Sequence, residues 1–135
     1  MVMKYIIASG PVIIEKGKLL VTNDGKDDFY KIPGGKVKEN ESLEETCLRE
    51  FQEETGFECK IIKKLSTMKI DKKPGTNEKM KIELHHYQCE LITSVKNYNS
   101  FEHNKHEVRW IKIDELEKYP LAPNIKYLIE KGDIK

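Results

Sequence analysis

The sequence predicts a mixed α/β fold in which helices pack against a β-sheet. Segments rich in β-branched residues stand on both sides of one amphipathic helix, and shorter helices follow towards the C-terminal end. Neither an internal repeat nor a low-complexity linker divides the sequence. Because 135 residues is an ordinary size for one hydrophobic core, we expect residues 1–135 to form a single domain.

Local composition and turn-forming residues set the order of the elements. Glycine and proline indicate a turn at Pro33-Gly34-Gly35 and a loop at residues 72–77, and the polar stretch 95–106 is predicted to be a loop. Strands are predicted at residues 5–14, 19–22, 29–32, 58–70, 79–92 and 108–113, and short helices at 114–118 and 124–130.

The central helix has clear start and stop signals. Ser42 followed three residues later by Glu45 forms a capping box, and Gly56 stands where a C′ glycine ends a helix. At about 100° per residue, the apolar side chains fall on one side of the helix. They are Leu43, Cys47, Leu48 and Phe51, with Thr55 on the same side, and we expect this face to pack on the sheet.

The composition limits the function classes. A formal net charge of +1 argues against a dedicated nucleic-acid binder, so no DNA partner is expected. No apolar run is long enough to span a membrane, and none is expected as a partner. Cys47, Cys59 and Cys89 are odd in number and form no CxxC pair, which favours small buried thiols over a zinc site or disulfides. We therefore expect a cytoplasmic protein.

The central helix is crowded with acids that only one arginine, Arg49, opposes. These acids are Glu44, Glu45, Glu50, Glu53 and Glu54. The first two lie in the first turn, where the helix dipole favours anions, so a solvated acidic face explains them. The later three repel one another at i,i+3 and i,i+4 spacing, at about 0.2–0.5 kcal/mol per pair, and two of them oppose the dipole. A bound divalent cation removes these objections, and carboxylate oxygens suit Mg²⁺ or Mn²⁺.

The spacing of these acids resembles the Nudix box, Gly-x5-Glu-x7-Arg-Glu-U-x-Glu-Glu-x-Gly-U, where U is bulky and apolar. The matching residues are Gly35, Glu41 and then Arg49-Glu50-Phe51-Gln52-Glu53-Glu54-Thr55-Gly56-Phe57. Every fixed position matches, with Phe51 and Phe57 at the two apolar positions. Outside the box the likeness is looser and consists of Ile32-Pro33-Gly34-Gly35, Val108-Arg109-Trp110-Ile111 and Asp114-Glu115-Leu116.

The resemblance implies an α/β/α sandwich with a mixed β-sheet flanked by helices. It also implies a metal-dependent hydrolase that cuts a pyrophosphate bond in a nucleoside diphosphate linked to another group. By motif position, Glu50, Glu53 and Glu54 are metal ligands for Mg²⁺ or Mn²⁺, and the carbonyl of Gly34 or Gly35 adds another oxygen. The same positions imply that Arg49 orients a glutamate through its planar guanidinium and that Glu41 supports the metal water or the helix start.

The sequence does not identify the residue that acts as the general base. It lies within the box, at Glu50 or Glu53, or in a later loop, at Glu102 or Glu107. Glu107 precedes Val108-Arg109-Trp110, which favours it over Glu102, although an exposed acid at a strand edge is an equal alternative.

Several residues outside the box are candidates for substrate contacts, each with an ordinary structural alternative. Lys36 either contacts a phosphate or is a solvated loop lysine. Phe29 and Tyr30 are placed to stack on a base or to pack in the core. Asn124 resembles a base-reading asparagine of some family members, or it caps the last helix.

The substrate itself is not resolved by these motifs. An ADP-ribose-like compound and a nucleoside triphosphate both fit, and Pro74, 17 residues after Phe57, weakly favours ADP-ribose. Two other functions stay open, a non-catalytic nucleotide-binding module and an RNA 5′-end pyrophosphohydrolase. A homodimer is possible, since many relatives pair.

Overall fold

A computed structural model describes residues 4–72 and 76–135. The chain forms strands β1 (Lys4–Val12), β2 (Ile14–Glu15), β3 (Lys18–Asn23), β4 (Gly35–Lys36), β5 (Cys59–Lys64), β6 (Met68–Lys72), β7 (Lys79–Leu91), β8 (Phe101–His103) and β9 (His106–Lys112). The helices are α1 (Leu43–Thr55) and α2 (Pro123–Glu130), and a 3₁₀ helix covers Ile113–Lys118.

The strands form two sheets. In the first, the order is β4-β1-β7-β5, and β6 also pairs with β7. Strands β1 and β7 are parallel while the other pairs are antiparallel, so this sheet is mixed, as the sequence predicted. The second sheet has the order β2-β3-β9-β8 and is antiparallel throughout.

The core has two layers, and β3 contributes to both because side chains alternate along a strand. Leu20 packs with Phe51 of α1 on one face. Leu19 and Val21 pack with Leu128 of α2 on the other. The sheets are therefore enclosed between the two helices, and the predicted α/β/α sandwich is confirmed.

The predicted strand at residues 58–70 is wrong in its continuity, because the chain forms β5 and β6 separately along one edge of β7. The cause is a contact distant in sequence. At the break, Leu65 still donates its N–H to the His86 carbonyl, but the Ser66 carbonyl turns to accept from the His86 imidazole at 2.9 Å. A side chain of β7 thus replaces a backbone partner, and the ladder is interrupted.

The stretch 95–106 is not wholly loop, because β8 and β9 form a hairpin there. Asn104 and Lys105 occupy its turn with φ values of 47° and 64°, which is the left-handed geometry of tight hairpin turns. The predicted strand at residues 29–32 is reduced to two isolated bridges, Thr22↔Lys31 and Tyr30↔Leu121.

The predicted first strand also ends early, at Val12, and Ile14–Glu15 forms a separate short strand. Helix α2 begins at Pro123 with Ala122 as its N-cap, so the alternative of Asn124 as the helix cap is wrong. Pro74, the weak indicator of ADP-ribose, lies outside the described residues. Among the described helices, none has the length and apolar character needed to cross a membrane.

Candidate active site

Helix α1 is held at both ends by local hydrogen bonds. The Ser42 side chain accepts from the Glu45 N–H, the Glu45 carboxylate accepts from the Ser42 N–H, and both distances are 3.0 Å. Gly56 follows with φ 78° and donates its N–H to the Gln52 carbonyl. The predicted capping box and C′ glycine are confirmed, and they fix the helix end that carries the later glutamates.

Arg49 links three of the predicted carboxylates. Its Nε and Nη2 donate to the two oxygens of Glu41 at 2.6 and 2.9 Å. Its Nη1 donates to Glu50 at 2.9 Å and to Glu53 at 3.2 Å. The arginine, with Thr46 beside it, lowers the pKa of Glu41 to about 2, and the Glu41 carboxylate raises the pKa of Arg49. One fork-shaped cation therefore positions Glu50 and Glu53 relative to Glu41.

Glu54 has a different environment because its side chain is buried. Burial raises its pKa to about 8, and the neighbouring Glu50 acts in the same direction by hydrogen bonding and by charge. The Gly34 N–H donates to its Oε2 at 3.2 Å, which opposes this rise only in part. Among the described residues, the only basic side chain paired with Glu54 is His106, whose Nε2 lies 3.9 Å from Glu54 Oε1.

The glycine turn is fixed by close backbone approach. A Cβ on Gly34, whose φ is 149°, would lie 2.6 Å from the Ser9 carbonyl oxygen of β1. A Cβ on Gly35 would lie 2.5 Å from the carboxyl carbon of Glu50. The turn therefore fits against β1 only because Gly34 has no side chain, whereas a side chain on Gly35 would displace the Glu50 carboxyl.

Two cavities meet at this turn. An acidic cavity of about 230 Å³ is lined by Thr22, Asp24, Lys31, Ile32, Gly34, Glu50, Glu53, Glu54, Asn104 and His106. A second cavity, of about 270 Å³, contains apolar side chains of β6 and β7 together with Phe29, His86 and Asn124, and we call it the apolar cavity. Lys31, Ile32 and Gly34 line both cavities.

The structure brings Glu50, Glu53, Glu54 and Gly34 to the acidic cavity and Asn124 to the apolar cavity. Asn124 Nδ2 lies 3.0 Å from His86 Nε2 there.

Glu107 has other neighbours. Its carboxylate accepts from the Tyr30 hydroxyl at 3.1 Å and from Arg109 Nε at 2.9 Å. The predicted site residues Glu107, Tyr30 and Lys36 line neither of the two cavities described above. The Lys36 side chain is exposed, and its carbonyl accepts from Arg49 Nη2 at 3.4 Å.

Several residues that line the cavities were not predicted from the sequence, namely Thr22, Asp24, Lys31, His86, Asn104 and His106. Lys31 forms ion pairs with Asp24 and Asp27 and borders both cavities. The available sequence signal was its position directly before the Ile32-Pro33-Gly34-Gly35 segment. His86 is buried beside Asn124, and the only sequence signal is its position within a long strand.

Comparison with known proteins gives the class. The NUDIX domain family model matches residues 4–132 of the 135, so the chain belongs to the Nudix family. A curated relative named 8-oxo-dGTP diphosphatase, from Buchnera aphidicola subsp. Schizaphis graminum, is 32% identical over 127 residues, which is 90% of this chain and 89% of the relative. The chain is therefore a Nudix pyrophosphate hydrolase, which favours the enzyme over the non-catalytic binding module.

Solved structures agree on the fold. The solution structure of the E. coli ORF135 protein has a TM-score of 0.71 and 25% identity, covering 95% of this chain and 88% of that one. A NUDIX hydrolase from Nitrosomonas europaea has a TM-score of 0.75 and 18% identity, covering 94% of this chain and 87% of that one.

Proposed function

We propose that this hydrolase cleaves 8-oxo-dGTP, with Mg²⁺ or Mn²⁺ as its cofactor, to 8-oxo-dGMP and pyrophosphate. The observation that carries the proposal is the placement of the Asn124 amide in an apolar cavity that shares a wall with the glutamate-lined cavity. A nucleotide can thus place its base in the apolar cavity and its phosphates among the glutamates. The Buchnera relative, named 8-oxo-dGTP diphosphatase, supports the same substrate.

The base edge explains why an amide suits this substrate. The outer edge of guanine presents two acceptors, N7 and O6. Oxidation at C8 places a proton on N7, so the same edge then presents one donor and one acceptor. A carboxamide offers both an acceptor and a donor and complements the oxidised edge. With unmodified guanine, the amide oxygen would face the N7 lone pair, which leaves two acceptors unpaired.

The donor set fits a hard divalent cation, although it is not preassembled. Within residues 4–72 and 76–135, no three acidic, histidine or cysteine side chains converge as a ready metal site. Arg49 instead binds Glu50 and Glu53, and the pKa of Glu54 is raised by burial and by Glu50. Glu50 and Glu53 share one arginine, and Glu54 retains its proton, so the three carboxyl groups are not fully neutralised as anions. Mg²⁺ or Mn²⁺, which prefers oxygen ligands, would supply the missing positive charge.

The roles of the side chains follow from these positions. Glu50, Glu53 and Glu54, with the Gly34 carbonyl, would hold the metal, and a bound metal acidifies water and neutralises phosphate oxygens. Arg49 and Glu41 keep Glu50 and Glu53 oriented. Lys31 lies between the apolar cavity, which would take the base, and the acidic cavity, which would take the phosphates.

The base that accepts a proton from the attacking water is proposed to be Glu53, or Glu50, rather than Glu107. Glu50 and Glu53 line the acidic cavity, whereas Glu107, which accepts from Tyr30 and Arg109, lines neither cavity. Tyr30 and Lys36 retain their predicted substrate roles as proposals, with Lys36 at the outer side of the glycine turn.

The biological setting is proposed on the same basis. The partner is a small nucleotide, the location is the cytoplasm, where the three buried free cysteines stay reduced, and residues 1–135 act as one domain. A homodimer remains a prediction.

The test is product analysis by chromatography with 8-oxo-dGTP, dGTP, ADP-ribose, a dinucleoside polyphosphate and 5′-triphosphate RNA. Each compound is incubated with Mg²⁺ and again with EDTA. We expect 8-oxo-dGMP and pyrophosphate from 8-oxo-dGTP, loss of turnover in EDTA, and a lower kcat/KM for dGTP. Preferential cleavage of ADP-ribose or RNA would refute the substrate, and EDTA-resistant turnover would refute the metal.

A further inference from the structure

His86 is held in one protonation state by its surroundings. It is 1% exposed, and its Nδ1 lies 2.9 Å from the Ser66 carbonyl oxygen. A carbonyl only accepts, so Nδ1 carries the proton. Burial lowers the pKa of His86, and the charges of Lys64 and His85 act in the same direction against Asp133 and the Ser66 carbonyl. The ring is therefore neutral near pH 7, with a lone pair on Nε2.

That lone pair fixes the Asn124 amide. Nε2 lies 3.0 Å from Asn124 Nδ2, and a neutral imidazole of this tautomer can only accept at Nε2. The amide therefore donates through Nδ2. If the amide were reversed, its oxygen would face the Nε2 lone pair and both acceptors would lose a partner. Among the described residues, this is the only side-chain hydrogen bond of Asn124, so no other contact in that part of the chain sets its orientation.

We propose that His86 is a positioning residue that sets base selectivity by fixing which end of the Asn124 amide faces the nucleobase. The proposal rests on the proposed function. With Nδ2 held by His86, the amide oxygen is directed away from the imidazole and accepts an N–H from the base. That oxygen accepts the N7–H of 8-oxoguanine and rejects the bare N7 of guanine. An amide that rotates freely would offer its NH₂ group to guanine N7 and lose this discrimination.

This role is confined to the base-binding part of the site. His86 lies on β7 and Asn124 on α2, so two elements distant in sequence define one hydrogen-bonding group. Neither residue lines the acidic cavity among the residues described there. A change at His86 should therefore alter base recognition and leave the phosphate chemistry intact.

The experiment compares kcat/KM for 8-oxo-dGTP and for dGTP in wild type, His86→Phe, Asn124→Ala and the double variant. We expect His86→Phe to lower the ratio of the two values about 10-fold to 100-fold, through KM and with kcat within about two-fold. In the Asn124→Ala background, His86→Phe should change the ratio no further, because the group it positions is gone. Tyr127→Phe is the matched control. It removes a hydrogen bond to the carbonyl of Thr67, the residue after Ser66, and leaves the His86–Asn124 hydrogen bond in place, so the ratio should not change.

A change of ratio in His86→Phe that persists in the Asn124→Ala background would overturn the proposal, as would an unchanged ratio in His86→Phe. If 8-oxo-dGTP is not cleaved at all, the proposed function fails and the selectivity role fails with it. If Asn124→Ala lowers the ratio and His86→Phe does not, only the His86 role fails.

A measurement on the wild type covers the case in which His86→Phe does not fold. Imidazole ¹⁵N chemical shifts near pH 7 should show a protonated Nδ1 and an unprotonated Nε2 for His86. A proton on Nε2 would make His86 a donor to Asn124, reverse the amide, and overturn the proposal.

Discussion

Replacing Glu54 by glutamine should stabilise the metal-free protein while removing its activity. The Glu54 carboxyl has a pKa of about 8 in the folded chain, against an ordinary value of 4.5. The folded state thus binds this proton more tightly than the unfolded state, so the free energy of unfolding falls as pH rises from about 4.5 to about 8. At pH 7 this difference corresponds to about 3 kcal/mol of destabilisation, and most of it is absent at pH 5.

Glutamine reproduces the protonated acid without titrating. It can accept from the Gly34 N–H, as Glu54 does at 3.2 Å, and its amide can donate to Glu50 as the protonated carboxyl does. The variant should therefore gain about 3 kcal/mol at pH 7 in the absence of metal. With a denaturant dependence of about 1–3 kcal/mol per molar urea, the unfolding midpoint should rise on the order of 1 M.

The assay is urea unfolding in EDTA at about pH 5, 7 and 9, followed by circular dichroism and by the fluorescence of Trp110, the single tryptophan. Between pH 5 and pH 9, wild type should lose more stability than Glu54→Gln, because the contributions of other titrating groups, such as His86 with its lowered pKa, are common to both proteins. Glu53→Gln is the matched control because its side chain is 48% exposed, and it should stay close to the wild-type pH dependence, since its charge is the smallest of the causes that raise the pKa of Glu54. Parallel pH profiles for wild type and Glu54→Gln would refute the reasoning. In Mg²⁺, both variants should lose at least about 100-fold in kcat if they hold the metal.

Three further substitutions test the frame around these acids. Arg49→Lys cannot reproduce the fork that binds both Glu41 oxygens, so kcat should fall about 10-fold to 100-fold in a steady-state assay; an unchanged kcat would show that the fork is dispensable. Ser42→Ala removes the helix cap and should cost about 1 kcal/mol, seen as a Tm lower by about 3–5 °C, with kcat per folded molecule retained. Gly35→Ala places a methyl group against the Glu50 carboxyl. Because that carboxyl can move, we expect a large loss of kcat with a Tm change of under about 3 °C. An unchanged kcat with a large fall in Tm would contradict this reasoning.

Helix α1 could be predicted from sequence because its signals are local. The Ser42–Glu45 pair and Gly56 lie within one turn of the groups that they satisfy, so no distant contact can alter them. The crowding of Glu50, Glu53 and Glu54 is equally local, since all three lie within two turns of one helix. Their mutual repulsion is therefore evident from sequence spacing alone, and it is the basis for predicting a bound cation.

The strands and the apolar cavity depend on distant contacts, and there the sequence was insufficient. The break between β5 and β6 arises where Ser66 meets His86, twenty residues away. The β8 strand lies in a polar stretch, and its best signal is Asn104, which tolerates the left-handed turn geometry. Asn124 was a candidate from the family resemblance, but its partner His86 could not be named, because β7 and α2 meet only in the folded chain.

In the proposed binding mode, the glycine turn sets the distance between the two ends of the substrate. A Cβ on Gly10 would come within 1.9 Å of the Pro33 carbonyl oxygen, so the turn rests directly on the backbone of β1. Because Lys31, Ile32 and Gly34 line both cavities, this segment would be a spacer of fixed length between the base and the phosphates in the proposed binding mode. Residues on the far wall of the apolar cavity can therefore vary, and with them the range of nucleotides accepted, while the geometry of hydrolysis is preserved.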